Sequence, residues 1–561
     1  MAIEQLSIKE IVKRAVDGTL NIPEFQRGFV WDAEKIKLLA ESLYKRYPVG
    51  TFLIWDSSKY GEAKTAEGTQ SSMWLVDGQQ RTTALCFLLG QKPYWWPNTD
   101  DWNRKLEKYN VMVKIYKSDQ EEDDELEFAI ANPVRKRDPR WVSIREIFRA
   151  KKEEEISDLC QKTLEKLDKL DLRIFSKLNG LFLRIWNIKN SSIPVIKIDH
   201  ELEDVAEIFA RLNQAGVRVK EADVTLALAA VKNPGWIREE YIPFATEIAD
   251  RGWPLDAGIF IRTMTTIGKG RARIKEVSID FWAPSNLPDI WQHTKETIVE
   301  VIKRLAEYGI LSADLLPSMN SLIPLFGLHH IWKESTKYNF NRVLYWFLMA
   351  NADGRYSGSA ITRLNEDAKI IKESQNFEIA LDNLLKKLNL PEKFLPEDFL
   401  NRYDKAGSRF LRLLLYLLIY HNNAVDWVDK TRIGYDKTGN PLPTGFNPNW
   451  HHIYPKSKLK KFEVIDDDIN CLANITVMNE ETNCRKLQDK EPWDYILKFD
   501  IKKEHLITHL IPQDFVTFDK NDIKDKWAVK KFNDFISARA ELLAEEANKF
   551  INKLKNGEKF S

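Results

Sequence analysis

One short region does most to limit what this chain can become: His451-His452-Ile453-Tyr454-Pro455-Lys456-Ser457, then Asn474-Ile475-Thr476-Val477-Met478, then Asn483. Two adjacent imidazoles, an apolar strand headed by an amide, and a second amide nine residues later are the parts of a compact one-metal nuclease site. Adjacent residues on a strand point to opposite faces, so the two histidines cannot simply do the same job. At a strand end or turn, one can bind a metal while the other addresses a phosphodiester. Asn474 begins an apolar strand, and Asn479-Glu480-Glu481-Thr482-Asn483 reads as a turn entering a short helix, where acidic residues suit the N-terminus. Phosphodiester hydrolysis needs a base to deprotonate water and a cation to stabilise charge on the phosphate and leaving oxygen. A neutral histidine serves as that base near its unperturbed pKa, while amide oxygens or imidazole nitrogens hold the cation. Taken singly, the histidines read as surface or turn residues and the asparagines as caps and turn formers. Their combined spacing favours the site.

At 561 residues the chain is too long for one core, and three or four units are expected. A hydrophobic fraction of 43% with 30% charged residues reads as a soluble, folded protein. No run of about eighteen uncharged apolar residues occurs, and Met1-Ala2-Ile3-Glu4-Gln5 lacks a signal pattern, so a cytoplasmic location and no membrane partner are expected. Cys86, Cys160, Cys471 and Cys484 contain no CxxC, which argues against a disulfide scaffold and a zinc knuckle. The net charge of +1 excludes a uniformly basic nucleic-acid surface. Local basic patches remain at Arg135-Lys136-Arg137 with Arg140, at Lys269 to Lys275, and at Lys456, Lys458, Lys460 and Lys461, each either a phosphate contact or a solvated face.

Apolar spacing predicts helices over Ile11 to Val16 and Asp32 to Tyr47, a strand over Thr51 to Trp55, a loop from Ser57 to Ser72, and a second strand over Met73 to Val76. The helix Thr82 to Leu89 follows. Strands are expected from Tyr109, broken by the acidic run Glu121 to Glu127, then helices over 141 to 188, a strand over Ser192 to Ile198 and a helix over Val205 to Leu212. Residues 221 to about 420 carry repeated amphipathic helices, including Leu322 to Trp332, Asn341 to Ala350 and Phe410 to His421. Glycine and proline become dense from Asp436 to Asn449, which reads as a linker, and the chain returns to helix over Phe535 to Leu554.

Two motifs near the start also suggest chemistry: Ile22-Pro23-Glu24-Phe25-Gln26-Arg27-Gly28-Phe29-Val30-Trp31, and Leu75-Val76-Asp77-Gly78-Gln79-Gln80-Arg81-Thr82-Thr83. Gly78 permits close approach where the NH groups of a helix start become available to an anion. Arg81 offers a bidentate phosphate contact, and Asp77 a cation ligand or water activator. No GxxxxGK[ST] is present here, so this is not a P-loop. The plainer reading makes Gln26-Arg27 and Gln79-Gln80-Arg81 a buried polar network or a DNA-contact surface. Trp31 and Trp74 either stack on a base or belong to the core.

The C-terminal residues resemble the His-Asn-His nucleases with their ββα-metal fold, and most of all the nuclease domain of the GmrSD-type modification-dependent restriction endonucleases. That resemblance implies His452 as general base and His451, where Asp or Glu is commoner, as a metal ligand. It implies Asn474 as the amide that orients the histidine or shapes the metal loop, with Asn470 as the other candidate for that role. Asn483 would complete the metal site, and Lys486 would contact phosphate. The two N-terminal motifs, with Ile208-Phe209-Ala210-Arg211-Leu212-Asn213-Gln214-Ala215-Gly216-Val217, resemble the same family's N-terminal domain, related to the ParB and sulfiredoxin nucleotide-binding class. This implies a nucleoside triphosphate site lined by Gln26, Arg27, Gly78, Gln79, Gln80, Arg81 and Asn213, with Asp77 catalytic and GTP, UTP, ATP or CTP as the nucleotide.

The expected architecture is multidomain α+β. It comprises a ParB/sulfiredoxin-like core at 1–110, the rest of that domain at 111–235, a helical linker or recognition region at 236–400, a nuclease domain at 401–505 and a helical region at 506–561. The implied function is a nucleotide-regulated endonuclease of anti-phage defence, using Mg²⁺ or Mn²⁺ on modified phage DNA, with a second copy or a defence-system protein as further partners. Two other readings stay open: a DNA-binding regulator with a degenerate nuclease fold, and a nuclease acting on RNA or tRNA.

Overall fold

The computed structural model describes residues 2–558 except 21, 23–28, 30, 57–62, 65–69, 72, 97–100, 116–125, 168–170, 201–207, 209–220, 234, 359, 437, 441, 443–447, 488, 518 and 520–521. It forms two compact units, Met1–Glu240 and Tyr241–Ser561. Both helices and strands are present, so the chain is mixed α+β, and the sheets are small.

In the first unit, strand β1 (Ala2–Ser7) runs directly into helix α1 (Ile8–Val16). Ser7 makes the change possible, because its side chain accepts from the Glu10 N–H at the helix start. Ile8, Ile11, Val12 and Ala15 are the buried stripe of α1. Helix α2 (Ala33–Tyr44) is capped in the same way by Asp32, which accepts from Lys35, and buries the expected face at Ile36, Leu39, Ala40 and Leu43. Strand β2 (Phe52–Asp56) follows. Within the span expected to be only loop, the short strands β3 (Ala63–Lys64) and β4 (Gln70–Ser71) pair antiparallel. Two residues per strand are too few for an alternating pattern to be visible in sequence.

Strand β5 (Met73–Asp77) passes through Gly78 into helix α3 (Gln79–Leu89). A three-stranded antiparallel sheet is built from β6 (Val111–Lys114), β7 (Glu127–Ile130) and β8 (Trp141–Ser143), with β6 central. Helices Ile144–Arg149, Glu153–Lys166 and Leu172–Trp186 supply the long connection that parallel pairing requires. Strand β9 (Ser192–Ile198) then returns to the first sheet, whose order is β1-β9-β2-β5. β9 lies parallel to β2 and antiparallel to β1, and β2 lies antiparallel to β5. Alternation along the strands buries both faces. Phe52, Ile54 and Leu75 join the large core with α1, α2 and α3, while Leu53, Trp55, Trp74, Val76 and Ile198 form a second cluster. Trp74 is therefore core, and Trp31 packs against the larger cluster. The expected helix over Val205 to Leu212 lies almost wholly outside the described residues.

The second unit holds the segments expected at 401–505 and 506–561 and nearly all of that expected at 236–400. Helices occur at Leu322–Trp332, Phe340–Ala352 and Arg409–His421, close to the amphipathic stretches named above. Strands β10 (Asn449–His452) and β11 (Ile475–Met478) pair antiparallel, with His451 opposite Thr476 and His452 opposite Ile475. A helical segment follows β11, its Thr482–Leu487 part wound as a π-helix. The helix Phe532–Lys555 closes the unit with Phe535, Leu543, Ala547 and Leu554 in the core. Among the described residues no helix is long and apolar enough to cross a membrane.

Candidate functional site

His451 and His452 occupy the end of β10 and, as the strand geometry demands, face different surroundings. His451 is inside, 2% exposed, with Trp427 and Tyr495 standing at 6.0 and 6.1 Å between ring centroids. Its Nδ1 lies 2.8 Å from Asn483 Oδ1. The orientation of that amide is set on its other side, because Asn483 Nδ2 donates to Asn449 Oδ1 and, at 3.1 Å, to the Trp450 carbonyl. Burial drives the His451 pKa down to about 4 against the smaller opposing effect of the Asn483 bond.

His452 is half-buried. Its Nε2 lies 3.1 Å from Asn470 Oδ1, and Asn470 Nδ2 donates to the Asp466 carbonyl at 2.7 Å, which fixes the amide. An amide oxygen only accepts, so Nε2 carries the ring proton and Nδ1 keeps its lone pair. Burial lowers the His452 pKa, so the ring is neutral near pH 7. The imidazole is thus held in the tautomer that makes Nδ1 the basic nitrogen.

Asn474 does not touch either histidine. It is fully buried and clamps the connection between β10 and β11: it accepts from the Tyr454 N–H at 2.9 Å and donates to the Tyr454 and Ile469 carbonyls at 3.1 and 2.9 Å. Of the two amides weighed in the sequence, Asn470 holds the ring and Asn474 holds the loop. Lys486, on the exposed side of the following helix, lies 3.8 Å from Glu481.

The sequence pattern gave no hint of the support behind these residues. Arg539, fully buried on the helix Phe532–Lys555, donates to the carbonyls of Ala473 and Ile475 at 2.8 Å each, and to those of Leu510 and His509 at 3.2 and 3.1 Å. His509 in turn bonds Thr476, the neighbour of His451 across the strands, at 2.7 Å. A lone arginine in an amphipathic helix 65 residues beyond Asn474 carries no local signature of this contact.

His451 Nδ1 and Asn483 Oδ1 are spaced as two ligands of one ion would be. Neighbouring ligands on an octahedral ion with bonds near 2.1 Å lie about 3 Å apart, close to the 2.8 Å between His451 Nδ1 and Asn483 Oδ1. The buried Nε2 of His451 has no hydrogen-bond partner. If Nδ1 donates to Asn483, Nε2 is left as an unsatisfied acceptor; if Nδ1 faces a cation, the proton moves to Nε2, beside the perpendicular Trp427 ring. Both donors are neutral, and among the described residues no three His, Cys, Asp or Glu side chains converge on a common point.

In the first unit the residues Asp77 to Arg81 sit where β5 meets α3. Gly78 adopts φ +107°, and a Cβ there would lie 2.7 Å from the Phe52 ring, so glycine is needed both for the bend and for the close approach. Gly78, at the N-cap of α3, has no side chain with which to cap the helix itself. Arg81 turns back onto the preceding turn, bonding the Val49 and Thr51 carbonyls at 2.8 and 3.1 Å and Asp77 at 2.8 Å, with its guanidinium over the Phe52 ring. Burial lowers its pKa, and Asp77 opposes that effect. Gln79 is 8% exposed and Gln80 lies beside it in the first turn. Gln26, Arg27 and Asn213 lie outside the described residues. A helix start suits a phosphate, and Gln79, Gln80 and Arg81 are the described side chains that would flank one here.

Residues 8–230 match the family model of the GmrSD restriction endonuclease N-terminal domain. The chain is also 22% identical to an uncharacterized protein of Methanocaldococcus jannaschii, in an alignment covering 97% of this chain and 99% of that one. Residues 8–230 thus carry the likeness to the N-terminal domain of GmrSD-type restriction endonucleases.

Proposed function

We propose that the chain is a metal-dependent DNA endonuclease of anti-phage defence, that it acts on modified phage DNA, and that a nucleoside triphosphate bound by the first unit regulates it. The observation that carries the nuclease assignment is the division of labour at the end of β10: His452 is neutral with Nδ1 left basic by Asn470, and the adjacent His451 is paired with Asn483 as two donor atoms 2.8 Å apart. Nδ1 of His452 takes the proton of the attacking water. The new P–O bond forms as the bond to the leaving oxygen breaks, and the half-exposed imidazolium returns its proton to solvent. His451 Nδ1 and Asn483 Oδ1 would hold Mg²⁺ or Mn²⁺, which when bound supplies charge stabilisation on the phosphate and leaving oxygen. Because these ligands carry no charge, they leave the cation's charge for the substrate.

Nicking of phage-type modified DNA by the purified protein, compared with His452→Ala, is the test. Loss of cutting by at least a hundredfold is expected, and equal rates would reject the assignment. For the first unit, NTP hydrolysis is compared in wild type, Asp77→Ala and Arg81→Ala, with unchanged turnover rejecting that site. The lack of a carboxylate among the proposed ligands supports a second reading, a DNA-binding regulator with a degenerate nuclease fold. Absence of both Mn²⁺ binding and cutting on unmodified, methylated, glucosylated and phosphorothioated DNA and on tRNA would favour it.

A further inference from the structure

A cavity of about 370 Å³ opens in the second unit beside β10. This falls in the size range of small-ligand sites. Its wall includes Arg409 and Arg412 from one turn of the helix Arg409–His421, Trp450 from β10, the apolar Pro317 and Met319, and the carboxylate of Asp314.

Its place matters first. Residues two apart on a strand share a face and lie about 7 Å from each other, so Trp450 is on the face of β10 that carries His452. Tyr403 links them, its ring 6.5 Å from Trp450 and 5.6 Å from His452 between centroids. The cavity is therefore adjacent to the candidate base, about one nucleotide step along the strand face.

Its charge matters second. Arg409 and Arg412 make no ion pair or side-chain hydrogen bond among the described residues, whereas Arg402 and Arg539 do. Asp404, which acts on Arg412 at longer range, is gripped by Arg402 at 2.7 Å. Burial, and then the like charge of Arg409, pulls the Arg412 pKa down. Two neighbouring guanidiniums, Arg409 exposed and Arg412 half-buried, with no ion pair among the described residues and no acidic residue in the same helix turn, repel each other and sit at the unfavourable end of the helix. An anion in the cavity relieves this.

The geometry points to a nucleotide-binding pocket formed by Arg409, Arg412, Trp450 and Asp314, which holds the phosphate and base of a nucleotide next to the scissile position. The arginine fork takes the phosphate. The Trp450 ring offers a stacking surface to the base, and Asp314, which repels phosphate, accepts from an exocyclic amine such as that of cytosine. The inference rests on the reading of His452 as the base of a DNA nuclease.

The test uses the full chain carrying His452→Ala, so that DNA stays uncut, with and without Arg409→Gln plus Arg412→Gln. Probes are a fluorescein-labelled twelve-nucleotide DNA strand, with cytosine or 5-hydroxymethylcytosine, and dCMP by calorimetry. A loss of strand affinity of at least tenfold, with the slope of log K against log salt reduced by about 1, supports a nucleotide supplied by the strand. Loss of dCMP binding with strand affinity intact supports the same pocket filled by a free nucleotide. Lys405→Gln, an exposed charge outside the cavity, should change either affinity less than twofold, and thermal unfolding checks that each variant is folded. If the double variant binds strand and dCMP within twofold of its parent, the pocket assignment is overturned. Wild-type cutting is measured in parallel: no cutting with pocket-dependent binding rejects the nuclease reading and keeps the pocket, whereas cutting with pocket-independent binding rejects the pocket alone.

Discussion

Replacing Asn470 by aspartate tests the centre at its most specific point. The substitution keeps an oxygen 3.1 Å from His452 Nε2 and adds a full negative charge to it. Two unit charges about 4 Å apart at an effective dielectric near 20 interact by roughly 4 kcal/mol, and opposite charges at such range typically shift a pKa by about 1–3 units. Lys456 lies near the ring and Asp466 near Lys456, so the partly screened lower end, about 1–2 units, is expected. The direction is upward, because the carboxylate favours imidazolium. In the wild type, burial lowers the His452 pKa, so the acid limb of cleavage should fall below about 6.5, the unperturbed value. In Asn470→Asp it should move up from the wild-type position by about 1–2 pH units, with the rate recovering by pH 9. Single-turnover nicking of supercoiled modified plasmid from pH 5 to 9.5 gives both limbs. Coincident acid limbs in the two proteins would refute the assignment of Nδ1 as base and Asn470 as its holder. Stability supplies an independent reading: relative to wild type, the raised folded-state pKa adds stability below the unfolded pKa, and that gain disappears as pH rises through the folded value.

Three further outcomes follow from the same contacts. Asn474→Ala removes three buried hydrogen bonds from the loop between β10 and β11 and should cost about 2–4 kcal/mol in urea unfolding of the second unit, with a loss under 0.5 kcal/mol contradicting the clamp. Gly78→Ala places a methyl 2.7 Å from the Phe52 ring at φ +107° and should destabilise the first unit by about 2 kcal/mol or more, read as a fall in its thermal midpoint. His451 and His509, buried neutral with pKa values near 4 and 3, bind fewer protons folded than unfolded, so stability is full above about 6.5 and falls with pH toward 4 by roughly 3 kcal/mol per group; a urea midpoint that stays flat from pH 7 to 4.5 would contradict this.

Local pattern made much of this protein readable. The helix faces of α1 and α2, the strand β2, the β5-Gly78-α3 junction and the paired strands β10 and β11 all express short-range periodicity or capping chemistry. Tertiary direction was less legible. The backward turn of Arg81 onto Val49 and Thr51 was not visible, because it depends on a preceding segment whose approach no local rule encodes. Asn470 and Asn474 were both visible as amides, yet only the fold separates ring holder from loop clamp. Arg539 and the arginines of the cavity escaped notice for a related reason: an arginine on an amphipathic helix looks solvated until its neighbours in space are known.

The four carbonyls gathered by Arg539 also order events in time. Residues around β10 and β11 emerge during synthesis well before position 539, and until then the carbonyls of Ala473 and Ile475 lack their buried donor. The proposed cutting centre therefore lacks its full frame until position 539 has been made. Truncation by a stalled ribosome or a protease before the helix Phe532–Lys555 would leave a fragment with every proposed catalytic residue and no firm frame to hold them. Under the proposed function, the helix Phe532–Lys555 thus ties cleavage to synthesis having passed position 539.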